Sequence, residues 1–109
     1  MKALRWVGSS QDDVSSFTAE VRRAIGFELF AVQRGLMPSD FKPMPQVGRG
    51  AYEIRVHVQG EWRLVYVARL ANVVLVLHAF QKKTQKTPNA DIELAARRLR
   101  LATGDLNHD

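Results

Sequence analysis

The chain has 109 residues, which is enough for one domain with one hydrophobic core and too few for two. With 46% hydrophobic and 25% charged residues it is typical of a soluble globular protein, and the lack of cysteine excludes disulfide bonds and thiolate metal sites. Its net charge of +5 points to a polyanion partner, usually nucleic acid, although a solvated basic surface without a partner would carry the same charge.

The N-terminal part of the chain predicts a strand followed by helices. Residues 4–7 are β-prone and precede a glycine, which indicates a strand. Ser10 is a candidate N-cap for a short helix and Thr18 for a longer one. Along the longer helix apolar residues recur at steps of three and four, which predicts one buried stripe. Phe27 and Phe30 widen this stripe, so we expect the helix to be covered on two sides.

The middle of the chain predicts an antiparallel sheet. Residues 38–50 are rich in proline and glycine, which predicts a loop. Residues 52–58 alternate apolar with polar side chains, which predicts a half-buried strand. Residues 62–68 predict a second strand, with Trp62, Leu64, Tyr66 and Ala68 on one face. Residues 73–80 are nearly all apolar, so we expect a third strand that is buried on both faces.

The turn between the first two of these strands determines which side chains face each other. A three-residue turn over residues 59–61 would pair Val56 with Leu64 and place His57 opposite Arg63. This register keeps the apolar faces of the two strands together, whereas a two-residue turn would mix apolar with polar faces.

The last part of the chain predicts a helix. Thr87 is a candidate N-cap with Pro88 at the first helical position, and apolar residues recur at helical spacing from Ile92 to Leu99. The predicted fold is therefore α+β, with an N-terminal strand and helices, a three-stranded antiparallel meander and a C-terminal helix, in one domain of residues 1–109.

Basic side chains concentrate in the second half of the chain. Residues 1–41 carry five basic and five acidic side chains, whereas residues 42–100 carry eleven basic and four acidic ones. Arginine can grip a phosphate with two hydrogen bonds, and lysine or histidine can transfer protons, so cations gathered on one sheet face suit a phosphodiester. The cations that the predicted sheet would gather are Arg55, His57, Arg63, His78, Lys82 and Lys83.

Each of these residues also has a purely structural interpretation. Arg63 could form a salt bridge with Glu53, and His57 could be a solvated strand residue. His78 could be a hydrogen-bonded core histidine, and the lysines at positions 82 and 83 could lie in a solvated turn. At this point the residues themselves leave both interpretations open.

Other classes of site are not indicated. No two histidines lie close enough in sequence to suggest a metal site, and there is no P-loop or dinucleotide-binding fingerprint, so we expect neither metal nor cofactor. No signal peptide is evident, and no apolar run is long enough to span a bilayer. We therefore expect a cytoplasmic protein without a membrane partner.

Four segments carry a family resemblance. They are Gly-Ala-Tyr-Glu-Ile-Arg at 50–55, Trp-Arg-Leu-Val-Tyr at 62–66, Leu-His-Ala-Phe-Gln-Lys-Lys-Thr at 77–84 and Lys-Thr-Pro at 86–88. With these segments the chain resembles the phage-derived, HigB-like branch of the RelE/ParE toxin superfamily. The third and fourth segments are the most specific, and the resemblance covers nearly the whole chain. It implies a compact α+β fold with one sheet.

The resemblance implies the toxin of a type II toxin–antitoxin pair. Its mRNA-cutting relatives are metal-independent endoribonucleases that act mostly on the translating ribosome, where the ribose 2′-hydroxyl attacks the adjacent phosphate. A cognate antitoxin, often a helix-turn-helix protein that represses the shared operon, holds such a toxin inactive. Some relatives carry a catalytic tyrosine or histidine near the C-terminus, where this chain offers only His108.

Roles follow from the resemblance residue by residue. Arg63 would stabilise the phosphate, and Arg55 would support it. Lys82 and Lys83 would hold RNA or move protons, and His78 would be an acid or base. Further RNA contacts would be Lys42, Arg49, His57 and Lys86.

Two other functions are compatible with the resemblance. A ParE-like toxin that poisons DNA gyrase would need no phosphate-transfer residues. A non-enzymatic nucleic-acid-binding or phage accessory protein would cause no growth defect when expressed.

Overall fold

A computed structural model describes residues 1–104, which form one sheet and three helices. His108, which the sequence offers as a C-terminal candidate, lies outside the described residues. In chain order the elements are β1 (Ala3–Trp6), α1 (Ser10–Ser15), α2 (Ala19–Gln33), β2 (Phe41–Pro43), β3 (Ala51–His57), β4 (Glu61–Val67), β5 (Val73–Lys82) and α3 (Asn89–Gly104).

The sheet has five strands in the order β1-β5-β4-β3-β2. The α+β class is confirmed, but the predicted three-stranded sheet is wrong. β1 pairs in parallel with β5, and β2 pairs in antiparallel with β3. β2 lies inside the segment predicted to be a loop. Its Pro43 is tolerated because β2 is an edge strand, where a missing backbone donor breaks no inner ladder.

The β3–β4 hairpin has a different register from the predicted one. Arg55 lies opposite Arg63, and His57 lies opposite Glu61, so the expected pairing of His57 with Arg63 is wrong. The three-residue loop spans residues 58–60, one residue earlier than expected. As a result, each residue of β3 pairs with a residue of β4 that is two positions earlier than predicted. Because side chains alternate between the two faces of a strand, a shift of two positions leaves every side chain on its predicted face.

The two faces of the sheet are buried under different helices. On one face Ile54, Leu64 and other side chains form a core with α2. On the other face Val65, Val67 and their neighbours form a second core with α3. β5 lies between β1 and β4 and is buried along most of its length, as its apolar sequence predicts.

α2 begins where the sequence predicts, but it is covered on one side only. The Thr18 side chain accepts a hydrogen bond from the backbone N–H of Val21, which confirms the predicted N-cap. Phe27 is 70% exposed and Phe30 48% exposed. Within residues 1–104 nothing covers the outer side of the helix, so the expectation of burial on two sides is wrong.

Two other predicted caps serve different contacts. The hydroxyl of Ser10 is buried and donates to the carbonyl oxygen of Val76, while Ser9 occupies the N-cap position of α1. The hydroxyl of Thr87 donates to a carboxylate of Glu53 at 2.9 Å. Both hydroxyls thus form tertiary hydrogen bonds instead of capping a helix.

In the described part of the chain, the helices are too short or too polar to cross a membrane.

Candidate functional site: a cationic cleft beside α3

A cleft of about 530 Å³ opens on the α3 side of the sheet. β2, β3, the end of β5 and the loop before α3 form its walls. Four basic side chains line it, together with one acidic and several uncharged polar side chains. The basic ones are Lys42, Arg55, Lys82 and Lys86.

Strand pairing explains why these cations meet. Arg55 and Glu53 are two residues apart on β3 and so point to the same face. Lys42 on β2 is the register partner of Glu53, and Lys82 at the end of β5 is the register partner of Glu61 on β4. The loop after β5 folds back over this face and adds a fourth cation at position 86.

Glu53 is the buried carboxylate of the cleft. It is 1% exposed and accepts a hydrogen bond from the Thr87 hydroxyl at 2.9 Å. One of its oxygens lies 3.6 Å from Nε of Arg63. A buried negative charge needs positively charged partners. Glu53 has Arg63 as an ion-pair partner, and basic side chains line the same cleft.

Arg63 lies on the same sheet face but does not line the cleft. It is 2% exposed, and its guanidinium donates to Glu61 at 2.9 Å and to the backbone carbonyl of Trp62 at 3.0 Å. With the Glu53 contact, this is the salt-bridge interpretation that the sequence leaves open. Arg63 therefore holds two carboxylates in place and has no open path to a substrate in this arrangement.

Lys82 has an altered acidity. Desolvation lowers the pKa of its ammonium group, and the positive charges of Arg63, Arg55 and Lys42 lower it further. The carboxylate of Glu53 acts in the opposite direction. The net effect is a lysine that gives up a proton more readily than an ordinary surface lysine.

His57 lies outside the cleft and is half exposed. Its Nε2 is 2.6 Å from a carboxylate oxygen of Asp40, and its Nδ1 is 2.8 Å from one of Glu61. Hydrogen bonds to Asp40 and Glu61 raise the pKa of the imidazole. Because Glu61 also accepts from Arg63, a line of charged contacts connects His57 with the carboxylate in the cleft.

His78 lies among core contacts. Its Nε2 is 2.6 Å from a carboxylate oxygen of Asp91 in the first turn of α3, and its ring stacks on Phe80. Its Nδ1 is 4.0 Å from a carboxylate oxygen of Asp13 on α1. His78 thus joins both helices to β5 and is not among the residues that line the cleft.

The structure brings together only part of the predicted site. Arg55, Lys82, Lys42 and Lys86 line one cleft, whereas Lys83 is exposed outside it. Arg49 lies at a separate depression, where its backbone carbonyl accepts a hydrogen bond from the Arg69 side chain. The roles that the sequence assigns to these residues stay predictions.

Sequence reasoning missed five polar residues of the cleft, among them Thr87, which entered only as a helix cap. Glu53 entered only as a salt-bridge partner of Arg63, although its position two residues before Arg55 places it on the same face. The other three are Gln46, Gln85 and Asn89, which line the cleft from loops and a helix start where no periodic pattern could mark them. Among residues 1–104 no group of three or more histidine or carboxylate side chains is placed to hold a metal ion.

The cleft and the small mixed sheet define a basic α+β protein with a site suited to a polyanion. The chain belongs to the family described as phage derived protein Gp49-like (DUF891), which matches residues 12–100. This family belongs to the RelE/ParE-like toxins of toxin–antitoxin systems, which implies an antitoxin partner. A search of curated proteins finds no match.

Proposed function

We propose that the protein is a toxin that cuts mRNA in the cationic cleft, on the translating ribosome and without a metal ion. The observation that carries this proposal is the set of four basic side chains around one cleft, one of them a lysine with a lowered pKa. A gyrase poison would not need such a lysine beside a phosphate-binding arginine.

In this proposal the cleft first binds the RNA backbone. Arg55 grips the scissile phosphate, since a guanidinium can donate two parallel hydrogen bonds to phosphate oxygens. Lys42 on β2 and Lys86 in the loop before α3, which also line the cleft, contact the neighbouring phosphates. The same charges stabilise the extra negative charge that develops on the phosphorane.

Lys82 then takes the proton from the ribose 2′-hydroxyl. The freed oxygen attacks the adjacent phosphorus, and the bond to the 5′-oxygen breaks. That oxygen leaves with a proton from an ammonium group on the rim of the cleft, where Lys42 and Lys86 stand. The products are a 2′,3′-cyclic phosphate and a 5′-hydroxyl end.

Arg63 is a positioning residue in this account. It orients Glu53 and Glu61, and Glu53 in turn faces the cleft. Replacing Arg63 would leave a carboxylate buried without its partner, at a cost of about 3–5 kcal/mol. Loss of toxicity in such a variant would therefore not separate chemistry from folding.

Induced expression in bacteria tests the proposal. We expect the wild type to arrest growth and to create new 5′ ends inside coding regions. Arg55→Gln and Lys82→Gln should abolish both effects, while Arg100→Gln, which removes the same charge from the exposed side of α3, should not.

Two other outcomes would contradict the proposal. Arrest without new 5′ ends would contradict RNA cleavage and favour the gyrase target. Soluble wild-type protein without arrest would contradict the toxin itself and leave a basic binding domain.

A further inference from the structure

The outer side of α2 carries two exposed aromatic rings. Phe27 and Phe30 are one turn apart, on the side opposite to the buried Ile25 and Leu29. A helix normally turns polar side chains to water, so large apolar side chains on the solvent side indicate a surface that another molecule covers.

A glycine lies at the edge of the same side, one turn before Phe30. Gly26 is exposed, and a Cβ added there would meet no atom within 4 Å. Among residues 1–104 no neighbour therefore requires glycine, although glycine inside a helix costs about 1 kcal/mol relative to alanine. Its absent side chain leaves a notch beside the rings, where the backbone of a second helix can approach closely.

Two arginines bracket the rings. Arg23 is four residues before Phe27, and Arg34 is four residues after Phe30 with its guanidinium carbon 5.5 Å from the centre of that ring. The acid next to the rings, Glu28, turns inward, where its carboxylate accepts hydrogen bonds from Ser39, and the exposed Glu20 lies one turn before Arg23, beyond the end of this surface. We name this surface the α2 stripe, and it comprises Arg23, Gly26, Phe27, Phe30 and Arg34.

The charges of the α2 stripe argue against a second copy of the chain as its partner. Two stripes packed antiparallel would set Arg23 of each copy against Arg34 of the other, and a parallel arrangement would set each arginine against itself. Either arrangement brings like charges together at both ends of the contact. A partner with acidic residues at both ends and an apolar centre complements the stripe instead.

We propose that the α2 stripe is the docking site for an acidic amphipathic helix of the antitoxin. The partner helix would carry apolar side chains over the notch and two acidic side chains about 16 Å apart, since the two arginines are eleven positions apart and each residue of a helix rises about 1.5 Å. The inference rests on the proposed toxin function only in taking the partner to be an antitoxin.

The docking site and the cleft lie on opposite faces of the sheet. The α2 stripe is on the outer side of the helix that covers one face, whereas the cleft opens on the face covered by α3. Changes in the stripe should therefore weaken antitoxin binding without altering the residues proposed to bind RNA.

Binding of the protein encoded by the reading frame next to the toxin gene tests the proposal. Affinity is measured with purified proteins in the Arg55→Gln background, so that toxicity does not limit expression. We expect Phe27→Ser/Phe30→Ser and Arg23→Glu/Arg34→Glu to weaken binding at least about tenfold, since buried aromatic and arginine anchors dominate interfaces. Leu101→Ser, which changes a 68% exposed side chain on α3, should bind as the starting protein does.

A growth assay with active toxin separates this inference from the proposed function. The stripe variants should still arrest growth and should no longer be rescued by co-expression of the neighbouring protein. Unchanged affinity of the stripe variants, no binding by the starting protein, or a homodimer that the stripe variants dissolve would each overturn the proposal. Absence of RNA cleavage alone would contradict the proposed function and leave the affinity result intact.

Discussion

At the scale of single residues, the lowered pKa of Lys82 is the property on which the proposed RNA cleavage depends. Burial and three nearby cations lower its pKa, with the charge of Arg63 ahead of those of Arg55 and Lys42. Removing the Arg55 charge should therefore raise the Lys82 pKa. NMR titration of the Lys82 side chain in wild type and Arg55→Gln measures this shift directly, and equal pKa values in the two proteins would contradict the electrostatic account.

His57 makes stability depend on pH in a defined direction. Its pKa is raised from the ordinary value of 6.5, chiefly by hydrogen bonding to Asp40, so its contribution is complete below 6.5 and is lost as pH rises through the higher folded-state value. The pKa of Glu61 is lowered from 4.5, chiefly by hydrogen bonding to His57, so its contribution is present above 4.5 and is lost as pH falls through the lower folded-state value.

We therefore expect His57→Gln to reduce the free energy of unfolding most near pH 6, and less as the solution becomes alkaline. Urea unfolding of both proteins at several pH values measures this difference. A difference that stays constant from pH 6 to pH 9 would contradict the raised pKa of His57 in the folded protein.

The sequence allowed the position of some of these residues to be predicted, but not whether each of them is buried. Arg55 could be placed on its face because strand side chains alternate, and Lys82 because it follows an unmistakable buried strand. The same alternation could not tell whether Arg63 is open to a substrate or buried, since that depends on Glu53, Glu61 and the loop folded above them. Burial is a property of the tertiary neighbours.

At the scale of elements, the short strands were the hardest to predict. β2 has three residues, one of them proline, and is defined only by its pairing with β3. The predicted register of the β3–β4 hairpin differs by two residues from the observed one. Both registers bury the same apolar face, so only the conformation of the loop decides between them. That loop includes Gln59 at φ 49° and Gly60 at φ 134°.

α2 allows a direct test of its exposed glycine. Gly26 lies in a regular helix with open space at its Cβ position, so Gly26→Ala should raise the free energy of unfolding by about 0.5–1 kcal/mol. Thermal or urea unfolding measures this gain. Destabilisation would mean that the position has a contact inside the chain and that the notch is not open.

At the scale of the whole molecule, the sheet separates two surfaces of different character. One face, under α3, opens into a cleft lined by cations, and the other carries a helix whose outer side is apolar between two arginines. The proposed cleavage site and the proposed antitoxin-binding site would then lie on different faces of the sheet, in a molecule with a radius of gyration of only 13.0 Å. The sequence predicted that Phe27 and Phe30 widen the apolar stripe of α2, and the structure places both side chains on the solvent-exposed side of the helix.

The chemical nature of the cut ends tests the central claim most directly. Purified wild-type protein and Lys82→Gln would each be added to a translation mixture that contains an end-labelled message. We predict that the wild type yields fragments with 5′-hydroxyl and 2′,3′-cyclic phosphate ends and that Lys82→Gln, folded to the same stability, leaves the message intact. An uncut message with wild-type protein, fragments with 5′-phosphate ends, or equal cutting by Lys82→Gln would contradict the account.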